Sequence, residues 1–322
     1  MHVRPEIAAL RSDKAKQARL RDAMDAAQAR WRARPQVAQV LADLKCYAAG
    51  AELDSLARLN ELLGSFEHAE ALVAQWCRDF LGPLRHEPLA QVPLRHHYGQ
   101  GFATMQLASE GGAALSLAVY EEKADFTPPR SAVFSDRELH ELVLAGSGGA
   151  SIHQVRGGHG ARVRIESERR ALRAGSRLAI IGGHAARQIG QVAGQMVILQ
   201  LTRVPDRPGL TREYAIPSGE LPMQSSGDKR ASQCEMAMAV LGAMERRDAA
   251  GAIAEMAQSG PDHLRWEALR HTLALDSGRG MRRLERIASE AGDPLAEPAR
   301  RLHAQLLAAH PQLADREAPC PA

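Results

Sequence analysis

Aromatic residues are scarce in this chain: Phe, Trp and Tyr together make up 4% of its 322 residues. Surfaces that hold single-stranded nucleic acid stack bases on aromatic rings, so no nucleic-acid partner is expected. The four cysteines, Cys46, Cys77, Cys234 and Cys320, lie far apart and none belongs to a Cys-x-x-Cys or Cys/His pair. That spacing excludes a disulfide framework and a zinc knot. No apolar run approaches the ~18 to 20 residues of a membrane span, and the opening stretch has no apolar signal-peptide core. A cytoplasmic protein with no membrane contact is expected. Gly-x-Ser-x-Gly, Gly-x-x-x-x-Gly-Lys-Ser/Thr and His-Glu-x-x-His are all absent, which removes the nucleophile elbow, the phosphate-binding loop and the metalloprotease helix.

The remaining composition is that of a chain able to bury a core, with 45% hydrophobic residues and a net charge of +3. Residues 6–33, rich in Ala, Arg, Lys and Gln without Gly or Pro, predict one basic helix whose sparse apolar residues place it on a surface. Pro35 predicts a break. Apolar residues at helical spacing then run from Val37 to Leu63, and a further helix from Glu67 is predicted to end at Gly82-Pro83. From about residue 93 the period changes to two. Phe102–Leu107 and the run after Gly111-Gly112 alternate like a hairpin, and short apolar runs broken by glycines continue to residue 204. Ala145–Gly149 predicts a turn between a strand from Glu138 and a return strand from Ala150.

Beyond the Pro/Gly/Ser-rich zone at 205–228 the helical period returns. Trp266, Leu269 and Leu273 recur 33 residues on as Ala299, Leu302 and Leu306 and 33 residues back as Gln233, Met236 and Val240. Short helices at a fixed repeat stack on their neighbours. Leu264–Asp276 and the Gly292-Asp293-Pro294 run with Arg300 resemble HEAT-type repeats.

In the centre, Leu139–Gly148 leads into a Gly-rich turn, and Gly175-Ser176 leads through an apolar strand to Gly182-Gly183-His184. This order resembles the two motifs of the cupin superfamily. The resemblance implies an α+β chain: a central double-stranded β-helix (jelly roll) over residues 93–220, flanked by N-terminal helices (1–92) and by a C-terminal helical repeat segment (228–312). Metal-bearing members carry His-x-His and a glutamate in the first motif, with another histidine in the second. Here no His-x-His occurs, Ser176 stands where aspartate is usual, and Ile181 where proline is usual.

Three readings of function follow. In the first, which makes the chain a non-enzyme, a metal-free barrel binds a small molecule or a protein partner in a regulatory role. Its candidate contacts are His140, His153 and His184, with Arg162 and Arg164 as anion contacts because guanidinium suits carboxylate or phosphate. The second is a metal-dependent oxygenase or isomerase in which His140, Glu141, His153 and His184 hold Fe or Mn. The third makes the C-terminal helices a protein-interaction scaffold. Open sheet faces also suit a homodimer.

Overall fold

The computed structural model describes residues 4–311, with the side chain of His159 outside the description, as is Cys320. The chain divides into two compact units at Gln224/Ser225.

The first unit opens with five helices, α1 (Pro5–Ser12), α2 (Lys14–Arg32), α3 (Pro35–Ala48), α4 (Ala57–Gly64) and α5 (Phe66–His86). The basic helix predicted as continuous is two helices, because the Asp13 carboxylate accepts the Lys16 amide at 2.8 Å and caps a new start. Nor does α2 lie free on a surface. Leu20, Met24, Ala27 and Trp31 form a buried stripe at helical spacing, and the small Ala27 fills the position that the sparse large residues left open. Pro35 sits in the first turn of α3, where its missing N–H costs nothing. Pro83 does not end α5, which runs three residues further; in the last turn it removes a single helical hydrogen bond.

Strands follow: β1 (His96–Gly99), β2 (Phe102–Glu110), β3 (Ala113–Glu121), β4 (Ser131–Phe134), β5 (Glu138–His159), β6 (Arg162–Arg173), β7 (Arg177–Ile181), β8 (Ala185–Arg203), β9 (Thr211–Ala215) and β10 (Met223–Ser225). The pairings of the larger sheet and that of β4 with β9 are antiparallel. One sheet runs β1-β2-β3-β8-β5-β6 with β7 also on β5, and a smaller one runs β10-β9-β4. Residues of opposite parity on β5 and β8 serve two cores. Leu142, Leu199 and Leu201 pack with Trp31, Leu44 and Phe80 of the helices. Leu139, Val143, Met196 and Ile198 join Leu178 and Ile180 on the other face.

Ala145–Gly149 is not a turn that ends one strand and starts another: β5 continues through it as one strand. What the glycines do is let the β5/β8 ribbon fold over. Arg187 pairs opposite Ile152, and Gln200 opposite Glu141, so a straight ribbon would hold Arg187 and Glu141 ~36 Å apart along its length. Their side chains are instead 2.6 Å apart. The register shifts around Ala145 and Gly148 mark the bend, and Gly146 there has φ +78°, with backbone of β8 so close that a Cβ would lie 1.9 Å from the Gln195 carbonyl.

The second unit contains α6 (Lys229–Ala243), α7 (Ala250–Met256), α8 (Asp262–Leu275), α9 (Ser277–Ser289) and α10 (Ala296–Ala309). Met238, Ile253, Leu269, Leu284 and Ala299 form its core. Asp228 and Asp276 cap α6 and α9 through the Ala231 and Arg279 amides. Arg265, buried on α8, bonds both carboxylate oxygens of Asp293, which also accepts the Leu295 amide. Among the described residues no helix is long and apolar enough to cross a membrane.

Candidate functional site

The fold-over of β5 and β8 creates a concave inner face whose apolar lining is interrupted by one polar cluster. Glu141 on β5 is 3% exposed. Its Oε1 accepts from Arg187 at 2.6 Å and from the Gln200 side-chain amide at 2.5 Å. Arg187 also donates to the Tyr120 hydroxyl at 3.1 Å and stands over the Tyr120 ring. Burial works to lower the Arg187 pKa, but the Glu141 charge and Tyr120 outweigh it and hold the guanidinium charged.

Arg137 lies near enough to feel the charges of this cluster. It precedes β5 with the parity of Leu139 and Glu141 and so belongs to the same face. Its side chain is exposed; its pKa is lowered by desolvation and by the nearby Arg187, with Glu141 and Tyr120 opposing. Close by, a hollow of about 230 Å³ is walled by Phe102, Tyr120, Phe126, Pro129, Ile189 and Val192. The Phe102 and Tyr120 rings meet with centroids 4.9 Å apart.

The residues singled out from sequence are dispersed. His140 lies on the opposite face of β5 from Glu141, half-buried, in a groove of about 620 Å³ with Glu52, Asp54, Glu138 and Arg177. Burial lowers its pKa, with Glu138 opposing. His153 is buried, and both ring nitrogens are engaged: Nδ1 with the Ser167 hydroxyl at 2.7 Å and Nε2 with Gln188 Oε1 at 3.0 Å. Burial lowers its pKa too, against the Gln188 hydrogen bond. His184 is exposed at the corner before β8. Arg162 and Arg164 share an exposed face of β6, where Arg162 donates to the Ser218 carbonyl at 3.2 Å.

These positions do not fit a metal. A centre needs several His or carboxylate ligands on one point, and His140, Glu141, His153 and His184 occupy four different environments, with the inner carboxylate already held by Arg187 and Gln200. Among the described residues no three His, Cys, Asp or Glu side chains are grouped to hold a metal ion.

Sequence reasoning missed Arg137, Arg187, Tyr120 and Gln200. One signal was present. Arg137, Leu139, Glu141 and Val143 alternate onto one face, and an acid flanked by Leu and Val there must be buried and must find a cation.

No family model matches the chain, and no curated protein is significantly similar in sequence. Solved structures with a similar segment include the 7S globulin of Momordica charantia, with 14% identity over 39% of this chain and 36% of that one, TM-score 0.27. KdgF from a Halomonas species shows 12% identity over 35% and 87%, TM-score 0.26. Ectoine synthase from P. lautus shows 13% over 33% and 67%, TM-score 0.24. The chain thus spans about a third of the globulin's length.

Proposed function

We propose that this chain is a cupin-type, metal-free binding protein whose jelly-roll interior receives a small molecule beside Glu141 and Arg187. The buried Glu141–Arg187 pair carries the reading: a cation supplied by the chain itself occupies the inner carboxylate, while the aromatic hollow lies beside Tyr120, to which Arg187 also bonds. A carboxylate so held is neither a free base nor a metal ligand, which fits a binding role better than catalysis and makes regulation the natural output. We place the protein in the cytoplasm, as a homodimer in which a second copy covers an open sheet face. Elemental analysis by ICP-MS, with mass spectrometry of the solvent extract of freshly purified protein, tests it. The expected result is no stoichiometric Fe or Mn and an organic ligand released on denaturation. Stoichiometric metal lost in Glu141→Gln would overturn it in favour of the oxygenase or isomerase reading.

One observation favours a second reading, the interaction scaffold. Met236, Val240 and Met244 lie four residues apart on the last three turns of α6 and beyond, 61%, 57% and 59% exposed, an apolar stripe of the kind that marks a contact surface. The 33-residue offset linking Met236, Leu269 and Leu302 on α6, α8 and α10 supports a HEAT-like stacking of these helices.

A further inference from the structure

The solvent side of α6 is apolar, and the charges at its ends are the wrong way round for an isolated helix. Ala231 and Met238 turn into the core of the second unit, with Cys234 and Leu241 partly buried beside them. On the other side, from Met236 to Met244, the exposed residues are Met236, Ala237, Ala239, Val240, Ala243 and Met244, and none carries a charge. The first turn holds Lys229 and Arg230 and no acid, the last turn holds no base, and Glu245 stands just past the end. A helix is positive at its N-terminus and negative at its C-terminus, so Asp228, the cap, is the one charge placed to suit it. Arg246 and Asp248 pair with one another, whereas Lys229, Arg230, Glu245 and Arg247 make no ion pair among the described residues.

An antiparallel α6 from a second copy answers both features at once. With a two-fold axis at the level of Met238, Met236 of each copy meets Val240 of the other. The alanines on the flanks let the two helices approach closely. Lys229 of each copy then comes within two residues, about 3 Å along the axis, of the level of Glu245 of the other. The basic N-terminus of each helix lies at the negative end of its neighbour, and Glu245 at the positive end. The same residues supply both halves, so the contact is self-complementary and closes as a pair. A single helix pair buries less than the ~1,200 Å² of a standard stable interface, and Arg247 shares its end with Glu245, so the pairing is weak. We propose that α6 is a self-association surface on which two copies of this chain pair antiparallel. The proposal rests on the scaffold reading of the α6 stripe, with the chain as its own partner. It adds to the sheet-face contact, and a chain that uses both surfaces assembles as a tetramer.

Sedimentation velocity of the full chain over a concentration series tests this. The expected result is a concentration-dependent association that Val240→Asp weakens about tenfold or more, because the contact then buries an unpaired charge. Lys229→Glu and Glu245→Lys each weaken it by setting like charges opposite one another. An equimolar mixture of these two variants regains the native association, since each copy then meets its opposite at both ends. Equal association in Val240→Asp, or no recovery on mixing, overturns the proposal. No association, with Val240→Asp melting as the native chain does, overturns self-pairing and leaves the stripe to a different partner. No association, with Val240→Asp melting several degrees lower, overturns the scaffold reading as well.

Discussion

The Tyr47 hydroxyl donates to Glu138 Oε2 across 2.7 Å, tying the end of α3 to the start of β5. Arg203 closes the joint. It bonds Glu138 Oε1 at 2.6 Å and the carbonyls of Tyr47 and Ala51 at 2.9 and 2.8 Å, and its guanidinium lies 4.1 Å from the Tyr47 ring centroid. Burial and the Glu138 hydrogen bond both push the Tyr47 phenol up, so it stays a donor. Tyr47→Phe should cost about 1 kcal/mol, one hydrogen bond's net worth. Arg203→Ala strands a carboxylate and two carbonyls together and should cost about 3 kcal/mol. Urea midpoints of the two variants check the ratio.

The Glu141–Arg187 pair has a different energetics because both partners are buried. Either Glu141→Gln or Arg187→Met leaves one charge or donor set uncompensated and should destabilise by about 3 to 5 kcal/mol. The double variant Glu141→Leu/Arg187→Met removes both charges and should recover most of that loss. A double-mutant cycle from urea unfolding reads the coupling. Singles and double that simply add would show that the pair is not coupled.

The helical N-terminal region, the β segment and the C-terminal helices were legible because the apolar period changes from 3.6 to 2 and back, and period depends on the chain alone. The hairpin at Gly111-Gly112 was legible for the same reason. The bend of β5 was not. Ala145–Gly149 has the composition of a turn, and only the backbone of β8 lying against it distinguishes a fold-over from a reversal. The inner cluster was hidden by the same bend, since Glu141 and Arg187 are far apart in sequence and in register and meet only after the ribbon closes. Histidines drew the eye because they bind metals, but His140 on the wrong face shows that residue type without strand parity does not place a site.

His153 should make stability fall on mild acidification. Gln188 Oε1 faces Nε2, so Nε2 carries the proton and Nδ1 accepts from Ser167; the neutral ring is the one that fits. Burial of His153 and of His140 holds both folded pKa values below the unfolded value of about 6.5. The unfolded chain therefore takes up protons first as pH drops through that value, and stability declines until the folded-state pKa values are passed. Glu138, held low by Arg203 and Tyr47 despite burial, adds loss only further down, below its unfolded value near 4.3. Urea midpoints at pH 7.5 and 5.5 should differ for the native chain and differ less for His153→Gln. An unchanged pH dependence in that variant would remove His153 from the account.

Two glycines with similar backbone separate conformation from space. Gly146 and Gly194 have φ of +78° and +63°, so alanine is strained at both. At Gly194 an added Cβ meets nothing within 4 Å, and Gly194→Ala should cost about 1 kcal/mol, the strain of a left-handed residue. At Gly146 the Cβ would lie 1.9 Å from the Gln195 carbonyl oxygen and 2.9 Å from Met196 Cα. Both are backbone atoms of the partner strand, and neither can move without opening the β5/β8 ladder at the bend. Gly146→Ala should therefore lose more than about 3 kcal/mol. Because the bend is also what brings Arg187 to Glu141, the loss should be smaller in an Arg187→Met/Glu141→Leu background, where opening the bend no longer separates an ion pair. Melting curves of the four chains decide it: equal losses in both backgrounds would mean that the bend and the ion pair are independent.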